Sequence, residues 1–248
     1  MTPAWQRLSR YGVFGLASLL LINMCATPVR GESVGSPSGI LEKGQWLFGL
    51  DADGWNRDLR LSGSDTQKVS VLSSSHFRGY GLTEWLTLYA KVGVAFLRAK
   101  DPGIANPDAK ASFGGNLVLG TGMKARLWHN ARRDWEWDAT TQYLWLGAPH
   151  KRHNNQGFWQ EWQLATTIAK SFGRWKPYAG VKPSLVRMRF TRRVGSTFIK
   201  SGTYHQNNFL GPVIGTDIYF GKDRKTVLNL ETSYLDGPEI SLALSVLF

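Results

Sequence analysis

The sequence predicts an all-β protein whose strands form an antiparallel transmembrane β-barrel of about ten strands, within a range of about eight to twelve. Three observations lead to this fold class. The chain begins with an apolar leader, the remainder alternates between apolar and small or polar residues with a period of two, and short links between the alternating stretches take turns with long ones. The 248 residues, 42% of them hydrophobic, are enough for one large packed domain or two small ones.

Residues 1–31 have the order of a secretory signal peptide. Arg7 and Arg10 come first, an apolar run follows, and small and polar residues end the segment. The apolar run is too short for a comfortable transmembrane helix. We therefore expect this leader to be cleaved, which leaves 32–248 as the barrel domain of an exported protein. The only cysteine, Cys25, lies in the leader, so the exported chain can form no disulfide and no cysteine metal site.

The chain is strongly basic, with a formal net charge of +12. The leader holds three arginines and no acid, so the exported chain keeps 27 basic and 18 acidic residues, a net charge of +9. An exported protein rarely meets nucleic acid, and this charge favours the phosphates of anionic lipid or lipopolysaccharide as partners. The candidate lipopolysaccharide contacts in the long links are Lys151, Arg152, Arg192 and Arg193.

Strand-like alternation recurs along the exported chain. Between residues 86 and 96, for example, Leu88, Val92 and Phe96 fall on one face while Lys91 falls on the other. The second face of such stretches carries Gly, Ala, Ser, Thr and single charges, which fits a narrow polar interior better than the solvated face of a soluble sandwich. Each stretch has the roughly 9–11 residues that a tilted strand needs to cross a bilayer. The predicted strands are 44–53, 70–82, 85–98, 114–128, 135–147, 158–172, 175–190, 207–220, 225–235 and 238–248.

The links between the predicted strands are short at one end of the barrel and long at the other. This asymmetry is typical of barrels whose short turns lie in the periplasm, and it places both termini there. Aromatic residues flank the short links, as expected for a girdle at the membrane surface, with packing in a soluble β core as the alternative. The long links are 54–69, 99–113, 148–157 and 191–206, and the flanking aromatic residues are Trp85, Trp128, Trp135, Phe172, Trp175, Phe220 and Phe248.

The last predicted strand, "ISLALSVLF", has five apolar residues on one face, which are Ile240, Leu242, Leu244, Val246 and Phe248. A terminal Phe248 with an apolar residue at every second position upstream resembles the C-terminal signature of bacterial outer-membrane β-barrel proteins. The resemblance in architecture covers residues 36–248 and points to no narrower family. It implies an outer-membrane location and recognition of this strand by the barrel assembly machinery during biogenesis.

Projection of the strands gives inward-facing charges of mixed sign, which we expect to form a network in the lumen. One hairpin, centred on Ala131, is expected to place Arg126 opposite Glu136 and Lys124 opposite Asp138. An unpaired charge would be costly in a narrow barrel, so pairing is favoured. The predicted lumen residues are Asp51, Lys91, Lys124, Arg126, Glu136, Asp138, Glu161, Lys182, Asp217 and Glu231.

The sequence leaves open which side chains face the lumen at the end of the predicted strand 175–190. Pro183 cannot donate a ladder hydrogen bond and could mark a β-bulge. If it does, the phase changes after it, and Arg187 and Arg189 join the lumen charges.

About ten strands leave little room for an aqueous pore, because barrels of about eight strands are filled by side chains and wide channels need about sixteen. The sequence therefore predicts a mostly side-chain-filled polar lumen in a barrel that acts in envelope structure, surface binding or limited permeation of small solutes. A narrow ion channel is one alternative. No cofactor, metal or catalytic residue is implied. The expected partners are outer-membrane lipid, lipopolysaccharide and the assembly machinery, with no nucleic acid, and the oligomeric state stays open.

An enzyme at the outer rim is the other alternative. Omptin-like proteases also have ten strands and use paired aspartates with an Asp–His couple, whereas this chain has "DAD" at 51–53 and His205 without such a couple. Acyl hydrolases and palmitoyltransferases of this membrane need a serine and a histidine near the lipid face, and His76 follows Ser74 and Ser75. A polar histidine of the barrel interior is the simpler interpretation of His76.

Overall fold

The computed structural model describes residues 39–61, 66–100, 110–149, 156–194, 197–206, 208–235 and 237–248. Eleven strands account for most of these residues, and no helix among them is long and apolar enough to cross a membrane. The strands are β1 (Trp46–Leu61), β2 (Thr66–Thr83), β3 (Leu86–Lys100), β4 (Lys110–Asn130), β5 (Trp135–Pro149), β6 (Gln156–Lys170), β7 (Trp175–Val194), β8 (Thr197–Gln206), β9 (Leu210–Phe220), β10 (Thr226–Tyr234) and β11 (Pro238–Leu247).

Ten of these strands form a closed antiparallel ring. Strands β1 to β7 pair in chain order. Strand β7 then pairs with β9, β9 with β10, and β10 with β11. The ring closes where β11 pairs with β1, from Leu47 opposite Leu247 to Trp55 opposite Glu239. The predicted barrel of about ten strands is therefore confirmed, and the strand with the C-terminal signature is the one that closes it.

Strand β8 closes a second, smaller ring at one end of the barrel. The first part of β7 pairs with β9, but its last part, Arg187–Val194, pairs with β8. The other edge of β8 pairs with residues 59–61 at the end of β1. An upper ring of eight strands, β1 to β8, therefore lies above a lower ring of ten strands, in which β9, β10 and β11 are short.

Two stretches that the sequence predicts as long links are largely strands. The predicted link 54–69 contains the end of β1 and the start of β2, and the predicted link 191–206 contains the end of β7 and all of β8. The outward face there is polar, as at Asn56, Asp58 and Arg60. The apolar signal with period two therefore stops while the strand continues, and the prediction was wrong for that reason.

The two faces of the sheet exchange polarity between the rings. In the lower ring, β7 directs Val181 and Leu185 outward and Lys182 into the lumen. In the upper ring the same strand directs Val186 inward and Arg187 outward. Such a reversal is expected where a strand leaves lipid and enters water, because the outer wall then has to be solvated. The change between Leu185 and Arg187 therefore marks the membrane surface.

The outward wall of the lower ring is apolar and exposed. Val92 exposes 48% of its surface, while its neighbour Lys91 exposes 4%. Monomeric soluble proteins rarely expose a contiguous apolar patch larger than a few hundred Å², so a wall of this kind is suited to lipid. Exposed members of the wall include Leu117, Leu119, Leu164, Ile168, Ile214, Leu230 and Ile240, and exposed aromatic residues near the short turns include Trp85, Trp128, Phe172, Trp175 and Phe248.

Leu164 offers a direct test of which face meets lipid. It lies on the outward face of β6, midway along that strand's apolar stretch. Leu164→Arg should lower the free energy of unfolding by about 2–4 kcal/mol, the cost of a lipid-facing arginine at the bilayer midplane. Urea unfolding in lipid vesicles, followed by circular dichroism, measures this change.

The matched control is Gln160→Arg, which lies on the same strand and the same face but beside Arg187, above the apolar wall. Its expected cost is about 0–1 kcal/mol, as for an arginine near the membrane surface. Equal costs at the two positions would contradict a lipid-facing wall that ends below Arg187.

Candidate functional site

An apolar layer fills the lumen of the upper ring. Each of the strands β1 to β8 contributes at least one buried apolar side chain to it, and the rings of Trp55 and Trp159 meet edge to face with centroids 6.4 Å apart. Eight strands enclose just enough space for side chains to fill, so this packing follows from the strand number of the upper ring. The layer consists of Trp55, Leu59, Val69, Val71, Ala95, Leu97, Val118, Leu144, Leu146, Trp159, Val186, Met188 and Tyr204.

Among the side chains of the apolar layer, between Trp55 and Leu59 on β1, Arg57 joins two carboxylates. Its guanidinium donates to Glu161 Oε1 at 3.0 Å and forms an ion pair with Glu239. Lys182 adds a second cation, with its Nζ 2.8 Å from Glu239 Oε2. These four residues, which we call the arginine cluster, are fully buried. Two cations therefore balance two carboxylates away from water, as a buried ionic group requires.

Further contacts hold the arginine cluster in place. Glu161 accepts hydrogen bonds from Ser184 Oγ at 2.6 Å and from Trp159 Nε1 at 3.0 Å. Arg57 also donates to the backbone carbonyl of Leu235 at 3.2 Å. Leu235 lies just after β10, at the tip of the short β10–β11 hairpin. Arg57 therefore ties this tip to β1 at the junction between the two rings.

A second buried group, the aspartate cluster, joins Asp51 and Asp53 of β1 to Lys91 of β3. Lys91 Nζ lies 2.8 Å from Asp51 Oδ2 and 3.7 Å from Asp53 Oδ2. The backbone N–H and the hydroxyl of Ser75 both donate to Asp51, and the hydroxyl of Ser241 donates to Asp53 at 2.5 Å. Both aspartates are thus held by a cation and by hydroxyl donors inside the lower ring.

Three more ion pairs lie toward the end of the lumen with the short turns. The nitrogen–oxygen distances are 3.7 Å for Lys124 and Asp138, 3.6 Å for Arg126 and Glu136, and 2.6 Å for Lys176 and Glu136. About a quarter of the Arg126 side chain is exposed, so water reaches this end of the lumen. Apart from the arginine cluster, the ion pairs described here lie in the lower ring, and the largely apolar upper ring departs from the polar lumen that the sequence predicts.

Tyr178 organises a polar group on β7, β9 and β10. Its hydroxyl donates to Glu231 Oε2 at 2.8 Å and accepts from Asn229 Nδ2 at 3.0 Å, and Asn229 also donates to Asp217 Oδ1 at 2.7 Å. The tyrosine ring lies over Gly215 of β9, where an added Cβ would be 2.4 Å from the ring. The glycine therefore leaves the space that the ring occupies.

The segment before β1 lies across the mouth formed by the short turns. The N–H of Leu41 donates to Thr87 Oγ1 on β3 at 2.9 Å, and the Leu41 side chain packs against Leu47. On the opposite wall, a Cβ added to Gly39 would lie 2.7 Å from Lys176 Nζ. The segment therefore reaches from β3 to β7 and covers the charged lumen at this end.

Comparisons with known proteins address the fold. No protein-family model matches the chain, and no curated protein matches its sequence. Among solved structures, the chain is similar to the translocator domain of the autotransporter NalP from Neisseria meningitidis, with 12% identity over 84% of this chain and 89% of that chain and a TM-score of 0.45. It is similar to the outer membrane protease OmpT from Escherichia coli, with 8% identity over 87% and 97% and a TM-score of 0.42. It is also similar to an outer membrane channel from Pseudomonas putida F1, with 14% identity over 88% and 100% and a TM-score of 0.41. The fold of the chain is a closed antiparallel β-barrel.

The structures that this β-barrel resembles have different activities. They include a translocator, a protease and a channel, so the likeness selects no function. The outer-membrane location predicted from the sequence agrees with the barrel fold. A function has to be inferred from the residues of this chain.

The inward face of the barrel carries all ten charges that the sequence places in the lumen, from Asp51 on β1 to Glu231 on β10. The lumen holds further charges that the sequence analysis missed. Three of them lie within the predicted strands, an even number of residues from a predicted lumen residue or an inward serine, so alternation alone could have found them. A fourth lies four residues beyond the end of the first predicted strand. The missed lumen charges are Asp53, Lys176, Glu239 and, beyond that strand end, Arg57.

The hairpin between β4 and β5 has a different register from the predicted one. Arg126 lies opposite Asp138 and Lys124 lies opposite Thr140, instead of Glu136 and Asp138. A β-bulge after Arg126 shifts the pairing. Both expected ion pairs form nonetheless, because long side chains reach diagonal neighbours on the same face.

Strand β7 keeps one phase past Pro183. Lys182 before the proline and Ser184 after it both face the lumen, and the pairing with β9 runs to Pro183 without a shift. Arg187 and Arg189 are exposed on the outward wall. The predicted bulge at Pro183, which would have turned these two arginines into the lumen, is therefore wrong.

The predicted lipopolysaccharide contacts stay predictions. Lys151 and Arg152 lie outside the described residues, as does the predicted leader 1–31. Arg192 and Arg193 lie near the end of β7, where the backbone alone is described. That part of β7 pairs with β8 and belongs to the upper ring.

The residues considered for a rim enzyme lie apart. The aspartate cluster is deep in the lower ring, whereas His205 is exposed on the outward wall of β8. His76 lies on the outward face of β2, where its Nε2 accepts a hydrogen bond from Arg78 Nε at 3.2 Å, and Ser75 faces the lumen. The interpretation of His76 as an interior side chain is therefore wrong.

Proposed function

We propose that the protein is a closed outer-membrane barrel that acts in envelope structure and surface binding and does not conduct ions. The observation that carries this proposal is the apolar layer. Its thirteen side chains are buried and come from every strand of the upper ring, so the layer extends across the whole lumen.

An ion that crossed the barrel would have to enter this layer without water. Moving an isolated charge from water into an apolar environment is very costly, and hydrophobic constrictions close channels by excluding water. The buried charges beside and below the layer are held in ion pairs, as in the arginine cluster. A lumen that pairs its buried charges and packs apolar side chains across its upper ring supports a structural role better than permeation.

Surface binding has a rigid platform in the upper ring. The ring continues above the apolar wall as paired strands, and its outward face carries Asn56, Asp58, Arg60 and Lys68. With the short turns in the periplasm, as the sequence predicts, this ring faces the cell exterior. Polar side chains on ordered strands can present a fixed surface to a partner.

Planar-bilayer recording tests the proposal. The purified protein should give no stepwise conductance. The double variant Leu144→Asn/Leu146→Asn places polar side chains of similar size in the apolar layer, and it should raise the conductance because water can then enter the constriction. Heat-modifiable migration in detergent gels checks that both proteins are folded barrels.

Steady conductance steps from the unmodified protein would overturn the proposal. Steps that disappear in Lys124→Gln/Asp138→Asn would point instead to a narrow channel through the charges of the lower ring. Turnover of peptide or lipid substrates that is lost in His76→Ala would point to an enzyme.

A further inference from the structure

A group of basic residues lies on the outward wall where the two rings meet. His205 of β8 pairs with Arg187 of β7 on one side and with Arg60 of β1 on the other, and Arg189 lies two residues beyond Arg187. Because neighbouring strands are about 4.8 Å apart, the backbones of the three paired residues lie within about 10 Å of one another. We call these four residues the branch patch.

All four residues of the branch patch point away from the lumen. They are exposed, while Leu59, Val186, Met188 and Tyr204, their neighbours along the same strands, are buried in the apolar layer. The guanidinium of Arg189 lies 5.5 Å from the centre of the Phe158 ring, which holds it against the wall. The branch patch is therefore a feature of the outer surface.

The branch patch begins where the apolar wall ends. Leu185, two residues before Arg187 on the same face, exposes 67% of its surface. Phe209, just before the short strand β9, and Leu210, its first residue, are also exposed, as is Tyr234 at the end of β10. These four residues form an apolar shelf directly below the patch, so the patch lies at the height of lipid headgroups.

The charge of the branch patch calls for an anion. Three arginines, Arg60, Arg187 and Arg189, share this part of the outward wall, and like charges on neighbouring strands repel one another. Neither β7 nor β8 contains an aspartate or a glutamate. Asp58 of β1 lies on the same face as Arg60 but is paired with Lys68 of β2. An anion from outside the chain would relieve the repulsion.

We propose that the branch patch binds the phosphate group of a lipid headgroup, with an acyl chain of the same lipid on the apolar shelf. Arginine is suited to this ligand, because its planar fork of donors matches phosphate oxygens in charge-assisted hydrogen bonds. The inference rests on the proposed role as a surface-exposed barrel, since the upper ring must face the leaflet that carries lipopolysaccharide. A free phosphate ion would bind the arginines but would make no contact with the apolar shelf.

Binding measurements on the purified protein in detergent test this inference. The probes are lipopolysaccharide, the same lipopolysaccharide after its phosphates are removed, phosphatidylglycerol and inorganic phosphate. We expect removal of the phosphates to weaken binding about tenfold or more, because charge-assisted hydrogen bonds are lost. Inorganic phosphate should bind more weakly than either intact lipid, and higher salt should weaken the binding of both lipids.

Matched variants separate the branch patch from general charge. Arg187→Gln/Arg189→Gln should weaken lipopolysaccharide binding about tenfold or more. Arg132→Gln/Arg133→Gln removes the same charge from the exposed β4–β5 turn at the other end of the barrel, and it should change binding by less than about twofold. All four positions are exposed, and heat-modifiable migration shows whether each variant is folded.

Equal losses in the two double variants would overturn the inference, since binding would then follow net charge alone. Inorganic phosphate bound as tightly as lipopolysaccharide would replace the lipid site with a free-anion site. Tighter binding of phosphatidylglycerol than of lipopolysaccharide would keep the phosphate chemistry and contradict the outer-leaflet source. Absence of binding with silent planar bilayers would reject the branch patch alone, whereas conductance steps with intact binding would reject the closed barrel alone.

Discussion

Arg57→Ala is expected to lower the free energy of unfolding by about 3–5 kcal/mol, the cost of removing one partner from a buried ionic group. The substitution leaves Glu161 and Glu239 without the guanidinium that joins them, and both carboxylates are buried in the lumen. It also removes the donor to the Leu235 carbonyl at the tip of the β10–β11 hairpin. Urea unfolding in lipid vesicles, followed by circular dichroism, measures the change.

Arg126→Ala is the matched control for this prediction. Arg126 also pairs with a carboxylate in the lumen, but its side chain is partly exposed and the carboxylate keeps Lys176 at 2.6 Å. Its expected cost is about 0–1 kcal/mol, as for a solvated pair. Arg57→Met/Glu161→Gln removes one cation and one anion together, leaves the other ion pair of the arginine cluster intact, and should recover most of the lost stability. Equal costs for Arg57→Ala and Arg126→Ala would contradict a buried arginine cluster.

The lower ring could be predicted from the sequence because lipid and lumen make opposite demands on alternate residues. Lys91 and Val92 are neighbours in the chain, yet one lies in the aspartate cluster and the other on the exposed wall. The same rule indicated the closing strand, where Ser241 faces Asp53 while Ile240 faces outward. In each strand, the inward or outward direction of a side chain follows from the residue types and from their alternation along the strand.

The upper ring does not follow this rule. Trp55, Arg57 and Leu59 share the inward face of β1, although one is charged and two are apolar, because the lumen there combines hydrophobic packing with the arginine cluster. On the outward face, Asn56 and Arg60 replace the apolar residues of the lower ring, because water replaces lipid. A strand whose faces exchange polarity has no constant apolar face, so the period-two pattern alone indicates a loop.

Strand β8 depends on pairing that no local pattern contains. One edge of Thr197–Gln206 pairs with β7, and the other edge reaches β1 over three residues only. Both pairings depend on β9, β10 and β11 being short, which leaves the upper parts of β7 and β1 without those neighbours. The sequence predicted the number of strands within its range, but the change from ten strands to eight along the barrel follows from tertiary structure.

Trp159→Ala is the second substitution with a large expected effect, a loss of about 3–5 kcal/mol from the cavity that a buried aromatic side chain leaves. Trp159 packs against Trp55 in the apolar layer, and its Nε1 donates to Glu161 Oε2 at 3.0 Å. The substitution removes both contacts. The eight paired strands of the upper ring cannot collapse inward to fill the space, because closure of the ring fixes its diameter. Urea unfolding in lipid vesicles measures the loss, with circular dichroism as the signal because the substitution alters tryptophan fluorescence.

Trp162→Ala is the matched control, three residues further along β6 and on the opposite face. Trp162 exposes 58% of its surface on the outward wall, against 1% for Trp159, and its ring lies 4.7 Å from that of Tyr143. Loss of this aromatic pair should cost about 0.5–1.5 kcal/mol, because lipid fills the space that the indole leaves. A larger cost at Trp162 than at Trp159 would mean that the packed interior and the lipid-facing wall are exchanged. The apolar layer could then not close the lumen, and the branch patch would not lie on the outer surface.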